Sequence, residues 1–145
     1  MKIVIGSDHA GFHLKKHFMK HQSLLTNKKD TVFDDVGCYS EDSVHYPDIA
    51  KIVAEKIANE DAEYGILICG TGIGMSIAAN RVSGIRAALC HSPFTADMSR
   101  QHNNANILCL GARVLQLDEA INITQVFFRS EFLGGRHDVR LKIIN

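Results

Sequence analysis

Five short apolar runs, each separated from the next by a longer stretch with helical spacing, constrain this chain more than any other feature of it. Lys2 to Ile5, Thr31 to Phe33, Gly65 to Cys69, Arg86 to Cys90 and Asn106 to Leu110 read as strands, rich in Ile, Val, Leu or Cys. Phe12 to Met19, Ile49 to Asn59, Gly74 to Asn80, Thr95 to His102 and Asp118 to Arg129 carry the helical period, as Ile49, Ile52, Val53 and Ile57 show. Strand and helix in alternation predict βαβ units, and those need a parallel sheet. A run such as Ile66-Leu67-Ile68 has no polar face, so its strand is buried on both sides and helices are expected on both faces of the sheet. Ligands of such sheets bind beyond the carboxyl ends of the strands.

The 145 residues suit one domain, residues 1–145, with one core and no linker. Pro47 and Pro93 each stand where a helix is about to begin. The tail from Glu131 onward holds Gly134-Gly135 and then a basic run, which fits a last helix or an arm reaching a partner subunit. Sixteen basic residues offset sixteen acidic ones, which argues against nucleic-acid and membrane-surface partners while leaving room for a local anion site. The opening MKIVIGSDHAGF turns polar too soon for a signal-peptide core, and no run approaches the ~20 apolar residues of a membrane span. Cys38, Cys69, Cys90 and Cys109 lie far apart with no C-x-x-C pair, so free thiols, no thiolate zinc site and a reducing cytoplasm are expected.

The polar residues gather where strands end: Ser7-Asp8-His9, then Cys69-Gly70-Thr71-Gly72-Ile73-Gly74, then Cys90-His91-Ser92. A G-T-G-I-G turn between strand and helix presents backbone N–H groups to an anion or a developing oxyanion, though it also serves as a tight turn of a wound sheet. It is not a dinucleotide fingerprint, because Met75 stands where the third glycine belongs and Cys90-His91-Ser92 where an acidic residue belongs. Nor is Gly6 to Gly11 a phosphate-binding P-loop, since it continues as Phe12-His13. Cys69 just before the glycine turn has a helix N-terminus to favour its thiolate, which gives a candidate base beside the alternative of a packed core cysteine. The other three cysteines lack such a turn and read as packing.

His13, His17 and His21 recur every fourth residue and form a solvated stripe without the partner a metal would need. His9 follows Asp8 at a strand end, and His102 lies in Arg100-Gln101-His102-Asn103-Asn104 where a helix runs out. Arg136 and Arg140, four apart, share a helical face and can clamp a phosphate or stand solvated; Arg113, just past the fifth strand, is a third cation on the expected rim.

Four blocks in order, G-S-D-H-A-G-F, I-C-G-T-G-I-G-M-S-I-A-A-N, S-R-Q-H-N-N-A-N and G-G-R-H, resemble the type B ribose-5-phosphate isomerases through nearly the whole chain. The resemblance implies a Rossmann-like, three-layer α/β/α sandwich on a five-stranded parallel sheet, assembled as a homodimer or homotetramer with active sites at the subunit interface. It implies interconversion of D-ribose 5-phosphate and D-ribulose 5-phosphate with no metal or other cofactor. Cys69 matches the residue that takes the C2 proton, and Gly70, Thr71, Gly72, Ile73 and Gly74 match the anion hole for the enediolate. Thr71 matches a proton relay between O1 and O2, and His102 the group that opens the furanose ring. Asp8 matches a catalytic residue that, with the match of Asn103, holds hydroxyl groups; His9, Arg113, Arg136 and Arg140 match the phosphate grip.

In some relatives a glutamate within the glycine-turn block is the base, but Met75 occupies its place here. His45 stands where the family commonly shows aspartate. Isomerases of galactose 6-phosphate and allose 6-phosphate share the glycine turn, although galactose-6-phosphate subunits tend to lose the Asp-His pair or the Gln-His-Asn block that this chain keeps. A non-catalytic sugar-phosphate sensor is the alternative of a different class; it has no use for a helix-activated thiol.

Overall fold

The computed structural model describes residues 1–144. Strands β1 (Lys2–Ser7), β2 (Val32–Asp35), β3 (Tyr64–Cys69), β4 (Ala87–Leu89) and β5 (Ile107–Gly111) alternate with helices α1 (Phe12–Lys20), α2 (Tyr46–Ala58), α3 (Ile73–Ala79) and α4 (Pro93–Asn103). Helices α5 (Leu117–Arg129) and α6 (Arg136–Ile144) follow the last strand. The sheet is parallel throughout in the order β2-β1-β3-β5-β4. The expected three-layer sandwich on five parallel strands is therefore what forms.

The layers follow from side-chain alternation. Ile3, Ile5, Ile66, Ile68, Leu108 and Leu110 face one way and meet Phe18 of α1, Ala96 of α4 and Ile123 and Phe127 of α5. Val4, Leu67, Cys69, Ile107 and Cys109 face the other way and meet Val53 and Ile57 of α2 and Met75 and Ala79 of α3. Each such strand residue is almost wholly removed from water, a burial that contributes about 1.5–3 kcal/mol for a large aliphatic side chain.

Steps from β1 to β2 and from β4 to β5 move one way across the sheet, over the face that carries α1 and α4. Steps from β2 to β3 and from β3 to β4 move the other way, over the face that carries α2 and α3. All four crossovers thus share one hand, as strand twist demands. One consequence places the site. The chain leaves β3 toward the α2/α3 face, while on either side of it β1 and β5 lead to α1 and α5 on the opposite face. The carboxyl end of β3 is consequently the floor of a crevice between diverging helices, where wound sheets bind their ligands.

The apolar pattern misplaces some ends, for identifiable reasons. Helix α2 starts at Tyr46, with Pro47 in its first turn, and α4 starts at Pro93 behind a Ser92–Thr95 capping box, so polar first turns precede the periodic residues. Strand β2 runs on through Asp34 and Asp35, because it is an edge strand and its acids find cations: Lys56 with Asp34, Lys15 with Asp35. Strand β4 shrinks to three residues at the opposite edge. The tail resolves into helix α6.

Candidate active site

Cys69 ends β3 with 5% of its surface exposed. Its backbone carbonyl is taken by Ala112 N–H at 2.8 Å, which ties it to the turn after β5, and its Sγ accepts from Gly72 N–H at 3.1 Å. A backbone dipole thus points at the sulfur atom that would carry charge as a thiolate. Gly72, the residue before α3, has φ +77° and ψ −14°, and this left-handed turn bends the chain so that its N–H faces back to the sulfur. Ile73 N–H bonds Thr71 Oγ1 at 3.3 Å, which fixes the exposed Thr71 side chain over the same turn.

Neighbouring strand ends complete this rim. Asp8 is 7% exposed; its N–H bonds Ile68 O, and its Oδ1 accepts from Gly11 N–H, both at 3.1 Å. His9 Nδ1 accepts from Val44 N–H at 3.4 Å, so the neutral ring keeps its proton on Nε2, the nitrogen left to meet a ligand. Arg113 lies over Gly70: its N–H bonds Gly70 O at 2.9 Å, and a side chain at Gly70 would press on its guanidinium. The Tyr46 ring stacks against Gly74 so closely that an added methyl there would clash. The rim therefore holds Cys69, Thr71, Asp8, His9, the Gly70–Gly74 turn and Arg113.

His102, Asn103, Arg136 and Arg140 are elsewhere. Helix α4 runs antiparallel to the strands, so its last turn lies at the amino edge of the sheet, where Asn103 O and Asn104 O accept from Arg86 Nε beside the start of β4. The length of β5 or α4 sets the gap between this cluster and Cys69 at roughly 15 Å. Helix α6 packs against α4 here, and Leu133 N–H bonds Gln101 O at 3.1 Å. The His102 and His137 rings stack with centroids 4.3 Å apart and planes 8° from parallel. Burial, together with the His102 ring and the Arg136 and Arg140 charges, holds the His137 ring below the ordinary histidine range. Arg136 and Arg140 are exposed and, among the described residues, bond no other side chain.

The structure thus sorts the expected site residues into two clusters on one chain, a thiol cluster and a histidine cluster. His137 belongs to the second and was missed from the sequence, where it reads as one residue of a basic run; its spacing from Arg136 gives no hint that it will meet a ring 35 positions back. The turn from Gly37 to His45 gave no sequence signal beyond His45 itself. It borders His9 through Val44 and reaches α1 through a 2.8 Å Glu41–His13 pair, which also accounts for the first histidine of the stripe. His45 precedes α2, is exposed and makes no capping bond. Cys38, Cys90 and Cys109 are buried and free, and burial pushes the thiols of Cys90 and Cys109 up, the latter strongly.

Comparison with known proteins shows which family carries this arrangement. The model of the Ribose/Galactose Isomerase family matches residues 3–144. The chain belongs to that family. Among its members, ribose-5-phosphate isomerase B of Escherichia coli is 43% identical over 143 residues, covering 99% of this chain and 93% of its own length. The structure of Clostridium thermocellum ribose-5-phosphate isomerase B superposes with a TM-score of 0.94 at 47% identity, covering 99% of this chain and 95% of that one. Mycoplasma genitalium ribose-5-phosphate isomerase B, solved with bound ribulose-5-phosphate, superposes with a TM-score of 0.89 at 45% identity, covering 99% and 93%. The ribose/galactose isomerase match spans both clusters, from Asp8 to Arg140.

Proposed function

We propose that this chain, an aldose–ketose isomerase by family, interconverts D-ribose 5-phosphate and D-ribulose 5-phosphate at a site made where the thiol cluster of one subunit meets the histidine cluster of another. The observation that carries this reading is the Gly72 N–H aimed at Cys69 Sγ, on a rim that offers a base and an anion cradle while His102 lies at the other edge of the chain. The acid and two phosphate-binding arginines lie at the far edge of the same chain, out of reach. A second copy brings them together, as homodimer or homotetramer. The edge strand β4, flanked by exposed Ile73 and Ile77 on α3 and Val139 and Ile143 on α6, supplies apolar surface for such a contact.

In this scheme His102 protonates the ring oxygen of the furanose as the C1–O4 bond breaks and the anomeric O1–H releases its proton to water, which leaves the open-chain aldehyde, while Asp8 and Asn103 hold hydroxyl groups. The Cys69 thiolate then takes the proton from C2, and the C–H electron pair becomes the C1–C2 double bond of a cis-enediolate. Backbone N–H groups of Gly70 to Gly74 stabilise its negative oxygen, the kind of contact whose loss costs about 3–4 kcal/mol of barrier in other enzymes. Thr71 passes a proton between O1 and O2, and the Cys69 thiol returns its proton to C1, which completes the ketose. His9, Arg113, Arg136 and Arg140 surround the phosphate. Every step uses protein groups alone, so neither a metal nor another cofactor enters. All four cysteines are free, consistent with work in a reducing cytoplasm.

The test is turnover of ribose 5-phosphate, with allose 6-phosphate and galactose 6-phosphate alongside, in the presence of chelator. A second readout follows solvent deuterium into C1 of ribulose 5-phosphate, which is already open-chain. Cys69→Ala should abolish both conversion and exchange, whereas His102→Asn should lose conversion and keep exchange. Preference for a hexose phosphate would move the substrate assignment, and folded protein that binds but turns over none of the three would leave a sensor.

A further inference from the structure

Arg100 is a large cation only 6% exposed, and among the described residues no carboxylate pairs with it. Its guanidinium is satisfied by neutral oxygens and ring faces. Nη1 donates to Asn104 Oδ1 at 2.9 Å and to Ala105 O at 2.6 Å, and Nη2 donates to Tyr64 OH at 3.0 Å. Its Cζ lies 4.9 Å from the Tyr64 ring centroid and 5.6 Å from that of Phe127. A buried charge held this way is a costly means of filling space, since an apolar side chain of similar volume avoids the desolvation altogether.

What the guanidinium grips explains the cost. Asn104 ends α4 in the left-handed region, at φ +43°, a conformation unusual for a residue with a side chain. Arg100 holds the Asn104 side chain from below, and Tyr64 anchors Arg100 to the first residue of β3. His102 and Asn103 lie between Arg100 and Asn104 in sequence, on the one turn that these bonds clamp to the sheet.

We propose that Arg100 is a positioning residue of the isomerase, which fixes the last turn of α4 so that His102 and Asn103 present their side chains to the thiol cluster of the other subunit. The proposal rests on the two-subunit reading of the site. Arg100 touches no substrate; its effect passes through the backbone of the turn. A displacement of about 1 Å at a reacting group can lower turnover about 100-fold.

The experiment uses Arg100→Met, which removes the donors and keeps the bulk, and Asn104→Gly, which keeps the left-handed turn and removes only its carboxamide. Each is purified alone and as a doubly tagged mixed assembly with Cys69→Ala or with His102→Asn; Cys69→Ala with His102→Asn is the control pair. Expected is a kcat about 10- to 100-fold below wild type for Arg100→Met alone. Mixing with Cys69→Ala should restore activity, because one site then combines an intact thiol cluster with an intact histidine cluster. Mixing with His102→Asn should not. Deuterium exchange into ribulose 5-phosphate should survive in Arg100→Met while conversion falls, a split that general loss of stability does not produce. Wild-type kcat in folded Arg100→Met, or rescue by His102→Asn in place of Cys69→Ala, overturns the proposal. If Arg100→Met fails to fold, Asn104→Gly decides by the same pattern. Failure of the control pair to regain activity removes the two-subunit reading and this proposal with it.

Discussion

Replacing Gly72 with alanine tests whether the glycine turn is held by packing as well as by its backbone angle, because the molecule contains its own control. Gly72 and Gly84 have nearly equal positive φ, +77° and +80°. An L-residue at either position pays about 1–2 kcal/mol for the left-handed conformation. At Gly84 the added methyl meets nothing within 4 Å. At Gly72 it would lie 2.5 Å from Leu89 Cδ1 and 3.0 Å from the backbone carbonyl carbon of Leu110. The leucine methyl can swing aside; the backbone of β5, paired on both edges, cannot. Overpacking of that kind adds about 1–3 kcal/mol. Gly84→Ala is therefore expected to cost about 1–2 kcal/mol and Gly72→Ala about 2–5 kcal/mol. Urea unfolding at one fixed protein concentration measures both, the concentration being fixed because the midpoint of the proposed assembly would depend on it. Relief of the clash also moves Gly72 N–H off Cys69 Sγ, so kcat should fall about 10- to 100-fold in Gly72→Ala while Gly84→Ala stays within about threefold of wild type. Equal destabilisation of the two variants, or wild-type kcat in Gly72→Ala, would refute this account of the turn.

Two further predictions concern charge. Lys15, 2% exposed, bonds both carboxylate oxygens of Asp35, whose side chain is 23% exposed and also accepts from Gly37 N–H at 3.0 Å. Asp35→Ala strands a buried ammonium and should cost about 3–5 kcal/mol, whereas Lys15→Met leaves a carboxylate that water and Gly37 can satisfy and should cost at most about 2 kcal/mol; denaturant midpoints in the reverse order would contradict the assignment. The lowered pKa of His137 means that the unfolded chain takes up a proton at a higher pH than the native chain does. Its contribution to stability is therefore complete above the ordinary histidine range and declines as pH falls through that range toward the native value. His137→Asn should flatten the dependence of the unfolding midpoint on pH between about 7 and 5, and an unchanged slope would show that the His137 ring does not contribute to it.

What the sequence determined about this protein is what rests on neighbours along the chain. Strands and helices were legible because their periods are written locally, and Ile66-Leu67-Ile68 announced a two-faced sheet because neither side of it tolerates a polar residue. The turn after Cys69 was legible as a turn because its glycines follow a strand end directly, while the strand residue Cys69 itself read equally as a base or as packing. The acidic end of β2 and the polar first turns of α2 and α4 escaped, since their stability comes from ion pairs, capping and proline geometry that an apolar pattern does not record. Only the tertiary structure decided the strand order, the stacking of His137 on His102, the grip of Arg100 on Asn104 and the separation of the thiol cluster from the histidine cluster. Each of these depends on contacts between segments tens of residues apart, whose geometry is set by how the layers pack. No local period specifies which strands become neighbours, and so none could show that one chain carries both clusters at opposite edges of its sheet.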